Sequence, residues 1–303
     1  MRRKEFVRNS IALGAGLVFA PSLLESCKLK STNLTILHTN DMHSRIEPFP
    51  ANAGRNAGLG GMARRAALIN KIRSESENVL LLDSGDIFQG TPYFNFFGGE
   101  LEFKLMSQMG YDVATVGNHD FDNGLEGLDK MLPNAQFDFV NANYDFSKTI
   151  LKDRFKPYKI INKGAIKVGV FGLGIELQGL VPDKLYAETR YNNPILIARE
   201  MVDELKNQAC HYIICLSHLG FKYDSEKVDD HKLAEEVSGI DLILGGHTHT
   251  FLEEPIVYEN AVGHKTIINQ VGWAGINLGR IDLSFGSSKS KSFASTVIPV
   301  SFA

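Results

Sequence analysis

The chain has 303 residues, 44% hydrophobic and 22% charged, with a formal net charge of −3. That composition describes a globular protein able to bury a large core and excludes a chain disordered throughout. A net-negative chain without a basic stripe is also excluded as a reader of nucleic-acid duplexes, and three cysteines make no disulfide framework.

In chain order, the basic start Arg2-Arg3-Lys4 is followed by an apolar stretch from Ile11 to Ala20 and then Pro21. The stretch is too short to span a bilayer, which needs about 20 apolar residues, and suits a secretory signal over residues 1–26. Arg2-Arg3 with Phe6 resembles a twin-arginine export signal. Leu24-Glu25-Ser26-Cys27 resembles a lipoprotein cleavage box that would put a lipid on Cys27; a plain signal peptide or an uncleaved anchor stays open. Cleavage after residue 26 removes Arg2, Arg3, Lys4 and Arg8 with Glu5 and Glu25, a net loss of two positive charges that leaves −5. The expectation is an exported protein, in the periplasm or as a cell-envelope lipoprotein, touching membrane only through Cys27. Residues 27–32 read as a short tether and 33–303 as one domain, with no linker marking a second.

Beyond the tether, apolar runs alternate with helical patterns. Strands are predicted at Leu34–Leu37, Val79–Leu82, Val113–Val116, Phe139–Asn141, Lys167–Phe171, Ile213–Leu216, Leu242–Leu244, Thr266–Gln270, Asn277–Phe285 and Ser295–Pro299. Helices are predicted at Gly61–Glu75, from Asn123, and at Glu100–Met109, Ile195–Asn207 and Lys232–Val237. This alternation implies βαβ units and mixed sheets with helices outside. Gly286-Ser287-Ser288-Lys289-Ser290 reads as a solvated hairpin turn, and Cys210 and Cys215 as buried core thiols.

Five of the apolar runs end alike. They are followed by Asn40-Asp41-Met42-His43, Asp83-Ser84-Gly85-Asp86, Gly117-Asn118-His119, Ser217-His218 and Gly245-Gly246-His247-Thr248-His249. Any one of these is ordinary for a solvated turn. Five at strand ends, where α/β sheets place their ligand sites, point to one shared site. The pool of carboxylates, imidazoles and one carboxamide holds no thiolate, so it is not a structural zinc cage; it suits Zn, Mn, Fe or Co. It exceeds the needs of one four-coordinate ion and fits two divalent ions sharing a carboxylate. Two such ions about 3.5–4 Å apart can clamp a phosphoryl group and activate water.

The set resembles the calcineurin-like metallophosphoesterases, and within them the catalytic domain of bacterial 5′-nucleotidases. The resemblance is carried by Ile36-Leu37-His38-Thr39-Asn40-Asp41-Met42-His43, Gly60-Gly61-Met62-Ala63-Arg64, Gly85-Asp86-Ile87-Phe88-Gln89-Gly90-Thr91-Pro92, Gly117-Asn118-His119 and Gly245-Gly246-His247-Thr248-His249. It runs from Asn33 to Phe285. It implies a four-layer α/β/β/α sandwich of two mixed sheets with outer helices. It also implies that Asp41, His43, Asp86 and His249 hold one metal, with Asp86 bridging and Asn118, His218 and His247 completing the second. His119 then stands as the catalytic histidine and Asp122 as its orienting partner. Asp120 is left open between a solvated side chain and a site role, Asp83 between a support for a ligand histidine and a structural group. His38, His211, His231 and His264 match no ligand position; Arg64 and Arg65 are expected on a helix face. Tyr93, Phe94, Phe96 and Phe97 are expected in a loop, as core packing with some exposed beside the site.

The implied activity is metal-dependent hydrolysis of a phosphate ester, 5′-nucleotidase-like on nucleotides, with a phosphodiesterase, for example on cyclic nucleotides, as the alternative. A binding subunit with a silent metal site is the rival of another class. Many bacterial relatives carry a second, nucleoside-binding domain whose motifs are not met before Ala303. A separately encoded partner docking near Tyr93–Phe97 is the expected source of such a pocket.

Overall fold

The computed structural model describes residues 32–286 and 291–301. The expected leader, Cys27, the tether before Thr32 and most of the turn after Gly286 lie outside the described residues. Among the described residues no helix is long and apolar enough to cross a membrane.

The first half runs β1 (Thr32–Thr39), α1 (Met62–Glu75), β2 (Val79–Asp83), α2 (Pro92–Phe97), α3 (Glu100–Met109), β3 (Val113–Ala114), α4 (Gly124–Met131), β4 (Asp138–Phe139) and β5 (Tyr144–Asp145). It continues with β6 (Tyr158–Lys163), β7 (Ile166–Leu173), α5 (Asp183–Tyr186), β8 (Arg190–Tyr191), α6 (Pro194–Asn207) and β9 (Tyr212–Ser217). The last part is α7 (Asp230–Glu236), β10 (Leu242–Gly245), β11 (Ile256–Glu259), β12 (Lys265–Asn269), β13 (Asn277–Phe285) and β14 (Lys291–Pro299).

Two six-stranded sheets form, ordered β14-β13-β1-β2-β3-β4 and β11-β12-β10-β9-β7-β6, beside a two-stranded β5–β8 ribbon. In each, four adjacent strands are parallel, β1 to β4 in one and β12, β10, β9 and β7 in the other. Antiparallel strands complete their edges. Period-two alternation explains the layering. Leu34, Ile36, Leu80 and Leu82 of the first sheet meet Val168, Val170, Ile214, Leu216, Leu242 and Leu244 of the second in one core. Leu37 and Leu81 turn the other way, under α1 (Ile69, Ile72), α3 (Phe103, Met106) and α4 (Leu125, Leu128). Ile213, Cys215 and Ile243 turn outward under α6 and α7. The four-layer α/β/β/α sandwich is the observed architecture.

Several expectations need correction. The helix face that Arg65 occupies is the buried stripe of α1, with Met62, Ile69 and Ile72. Residues 92–97 are helix rather than loop, with Pro92 at the start and Gly98 left-handed (φ 63°) at the end. The run from Val113 is a strand only to Ala114, because its partner β2 ends at Asp83 and turns away. Cys215 is buried, but Cys210 is only half-buried.

Candidate metal centre

Parallel strands β1, β2 and β3 of one sheet and β9 and β10 of the other end at the same edge of the sandwich. The five polar loops that follow them meet there in two groups. Ligand atoms of Asp41, His43 and His249 lie within 4.8 Å of one another, and so do those of Asp86, His218 and His247. Within the first group His43 Nε2 is 2.9 Å from His249 Nε2, and His249 Nε2 is 3.3 Å from Asp41 Oδ1. Within the second, His218 Nε2 is 3.1 Å from Asp86 Oδ2, and His247 Nδ1 is 2.8 Å from Asn118 Oδ1. The same Asp86 oxygen is 3.9 Å from His43 Nε2 of the first group, so one carboxylate reaches both. All seven residues that sequence reasoning assigned to metal are together.

His119 and Asp122 are beside them. Asp122 Oδ2 accepts from His119 Nδ1 at 2.9 Å, and the His119 ring stands edge-on to His43 with centroids 5.2 Å apart. The His119 backbone N–H donates to Asp86 Oδ1 at 2.8 Å, which ties the dyad to the shared carboxylate. The Asp122 hydrogen bond raises the His119 pKa, with the Asp86 charge adding and burial opposing.

The backbone is bent to achieve this. Asp41, His43, Asp86, His247 and His249 all have positive φ, between 48° and 72°. Outside glycine that region is uncommon and costs about 1–2 kcal/mol per residue. Neighbouring groups hold the bends: Asp41 N–H donates to the Gly85 carbonyl (2.9 Å) and His43 N–H to the Asp86 carbonyl (3.0 Å). The His247 N–H lies 3.0 Å from both Asp41 carboxylate oxygens. Gly117, in contrast, is not left-handed. It is needed for close approach, since a Cβ there would sit 2.2 Å from Asp86 Oδ1 and 2.5 Å from His218 Nε2.

The donor set fits divalent cations. His218 Nδ1 donates to the Ser84 carbonyl at 2.7 Å, which fixes the ring as a ligating histidine is usually fixed. Its Nε2, fully buried, has no hydrogen-bond partner and points at the Asp86 and Asp41 carboxylates. Burial disfavours its charge, but those carboxylates outweigh it and raise its pKa to about 10. Protons at that ring stand in for a cation. Burial, then His218, lowers His247 to about 4, so that ring is a neutral donor.

Four further residues build the site. Asp120 is buried and accepts the backbone N–H groups of Asp86 (3.0 Å), Ile87 (3.0 Å), Phe88 (3.1 Å) and Gly117 (2.8 Å). It therefore shapes both the Asp86 and the Asn118 loops, and the reading of it as solvated is wrong. Asp83 accepts from Thr39 Oγ1 (2.5 Å) and Gly85 N–H (2.9 Å), a structural role. Asn40 donates to Asp41 Oδ2 and to the Gly272 carbonyl, both at 2.6 Å. Gln270 donates to the Gly246 carbonyl at 2.7 Å and accepts from Thr248 Oγ1 and the Thr250 N–H. Gln270 and Gly272 belong to the loop after β12, a sixth parallel strand end without His or Asp; its polar Asn269-Gln270 after Ile267-Ile268 was the available signal.

Two stacked mixed sheets with Asp, Asn and His donors for two ions at their shared edge define the metallophosphoesterase class of α/β sandwich. Residues 34–251 match the calcineurin-like phosphoesterase family, and the chain belongs to that family. It is 40% identical over 236 residues to the snake venom 5′-nucleotidase of Crotalus adamanteus, covering 73% of this chain and 38% of that protein. It is 34% identical over 277 residues to the rat (Rattus norvegicus) 5′-nucleotidase, covering 84% and 47%. The crystal structure of a 5′-nucleotidase precursor from Thermus thermophilus superposes with a TM-score of 0.80 at 31% identity, over 89% of this chain and 55% of that one. The chain thus spans less than half the length of the curated relatives it matches.

Proposed function

We propose that this chain hydrolyses phosphate monoesters of the 5′-nucleotide class with two divalent ions. Asp41, His43, Asp86 and His249 would hold one ion, and Asp86, Asn118, His218 and His247 the other. The observation that carries the reading is the Asp86 carboxylate, within 4 Å of an imidazole of each group. When bound, such ions supply Lewis-acid charge to phosphoryl oxygens and lower the pKa of water. The residues do the rest. His119, half-exposed and kept protonated to higher pH by Asp122, offers its Nε2 proton to a phosphoryl or leaving oxygen. The buried Asp120 keeps the Asp86 and Asn118 loops fixed while charge moves. Nucleotides are the favoured esters because the relatives at 34–40% identity are named 5′-nucleotidases.

The catalytic unit is read as residues 33–303. Export, with a lipid on Cys27, is read from the basic-then-apolar start alone. A second reading of recognition has a separate partner supplying the nucleoside pocket. It is favoured by Phe96, 83% exposed, and Phe97, 48% exposed, on α2, a helix anchored to the His43 loop by the Thr91 hydroxyl on the Ser44 carbonyl.

The test loads the protein with Mn or Zn and measures hydrolysis of AMP, an aryl phosphate and an aryl phosphodiester, with Asp86→Asn as blank. AMP turnover at least as fast as the aryl monoester, and little diester turnover, is expected. Aryl activity with weak AMP activity would move recognition to a partner. Preferential diester cleavage would overturn the monoesterase reading.

A further inference from the structure

Each buried imidazole of a metal centre needs something to fix its ring. His218 is fixed by the Ser84 carbonyl at its Nδ1. The His247 ring meets Asn118 Oδ1 at 2.8 Å through its Nδ1, and its backbone N–H is bonded to Asp41. His249 differs in being exposed: among the described residues its Nε2 meets only members of its own group, His43 Nε2 at 2.9 Å and Asp41 Oδ1 at 3.3 Å, and its side chain is 38% exposed. A ring in that position can rotate away from its group. What lies against it is Trp273, the only tryptophan in the chain. The indole and imidazole are nearly coplanar, 8° apart with centroids 5.7 Å apart. Phe49 stands edge-on to the indole at 5.8 Å, bracing it near His249.

The loop that carries Trp273 is itself tied to both sides of the centre. Ala274 N–H donates to the Asp41 carbonyl at 2.7 Å and Gly272 N–H to the Thr250 carbonyl at 2.9 Å. Val271 N–H donates to Asn40 Oδ1 at 3.1 Å. Its backbone therefore moves with Asp41 and with the His247–His249 segment, and the indole is held in fixed relation to both.

We propose that Trp273 is the positioning residue for His249, setting by ring stacking the orientation that hydrogen bonds set for His218 and His247, and so the affinity of the Asp41–His43–His249 group for its cation. This rests on the two-ion reading of the site. It makes the single indole a built-in reporter: a paramagnetic ion bound next to its stacked imidazole will quench its fluorescence.

The experiment titrates metal-stripped full-length chain with Mn2+ alone, following tryptophan emission, and measures bound metal independently by equilibrium dialysis. Wild type is expected to bind two ions with saturable quenching. Trp273→Ala is expected to weaken one of the two binding steps roughly tenfold or more, the scale of losing an outer support of a ligand. The other step should be unchanged, which also shows that the variant is folded. Trp273→Phe, which keeps a flat ring, should stay within about twofold of wild type. A merely structural role would lower the melting temperature of Trp273→Ala and leave both dialysis constants as in wild type; that result overturns the inference while the two-ion reading stands. Loss of both steps equally overturns it too. A wild type that binds no metal overturns the reading and the inference together.

Discussion

Asp86 is a buried carboxylate that stays ionised because its neighbours are arranged around its charge. Burial opposes ionisation, but His218 first, then His43 and His119, hold its carboxyl well below the usual range. Its backbone is pinned in a left-handed turn (φ 54°), with its N–H on Asp120. His119 has a different character: half-exposed, bound to Asp122, and attached to the centre by its backbone rather than its ring. The two residues should therefore separate in mutation. His119→Ala is expected to keep both metals and lose on the order of 10²–10⁴ in kcat, the size of a lost general acid. Asp86→Asn is expected to lose metal as well as rate, since one Asp86 oxygen lies 3.1 Å from His218 and 3.9 Å from His43 and so serves both groups. Metal content per chain, measured on both variants beside the rate, decides; equal content in the two would remove Asp86 from the bridging position.

At the scale of elements, the strand ends carry the site and are fastened to one another before any ligand is placed. β1 and β2 run parallel with Thr39 opposite Asp83. The Thr39 hydroxyl donates to Asp83 and lies 2.8 Å from the Tyr111 hydroxyl. Burial raises the Asp83 pKa from 3.8 to about 7, against its hydrogen bonds from Thr39 and Gly85. A raised acid binds its proton more tightly when folded. Its stabilising contribution is complete below about pH 4 and is lost as pH rises to about 7, a change on the order of 4 kcal/mol. Asp83→Asn mimics the protonated form. Urea unfolding of the metal-free protein between pH 4 and 8 should show wild type losing stability relative to Asp83→Asn as pH rises; parallel curves would mean that Asp83 is ionised throughout. Much of this layer was legible in sequence. Glu100–Met109 and Asn277–Phe285 have the bounds the pattern predicts, because their apolar faces are uninterrupted. β6 and β11 were missed because these edge strands are half-exposed and lack a continuous apolar run. The burial of Arg65 was not foreseen although its spacing from Met62 and Ile69 is that of a buried stripe, since its charge masked the period. Trp273 left no signal of spacing and Gln270 only the polar end of an apolar run, because their role comes from a loop packing across chain segments more than 20 residues away.

Across the whole molecule, two sheets pressed together by one apolar core bring their strand ends to a common edge, and the cost of that meeting is electrostatic. Asp41, Asp86, Asp83 and Asp120 are all buried there, and burial, with the Asp86 charge adding to it, pushes the Asp120 pKa up to about 7. In the metal-free protein, protons on His218 offset part of the negative charge, which is why that ring has a pKa near 10. A divalent cation would offset more of it and would displace the proton, so metal affinity should rise with pH through neutrality. The ligands come from both sheets, Asp41 and Asp86 from one and His218, His247 and His249 from the other. Metal bound to the folded chain therefore ties the two halves together, and folding stability rises by RT ln(1 + [M]/Kd), about 2.7 kcal/mol at a hundredfold excess over Kd. For a chain of this size that corresponds to a rise in Tm of several degrees. Differential scanning calorimetry of the stripped protein with increasing Zn or Mn should show Tm climbing with metal concentration, a chelator should reverse it, and Asp86→Asn should show at most a small part of the shift. If Tm were the same with and without metal in wild type, the two groups at the sheet edge would have to be held together by protons alone, and the raised pKa of His218 would then be a feature of the working protein rather than of its metal-free form.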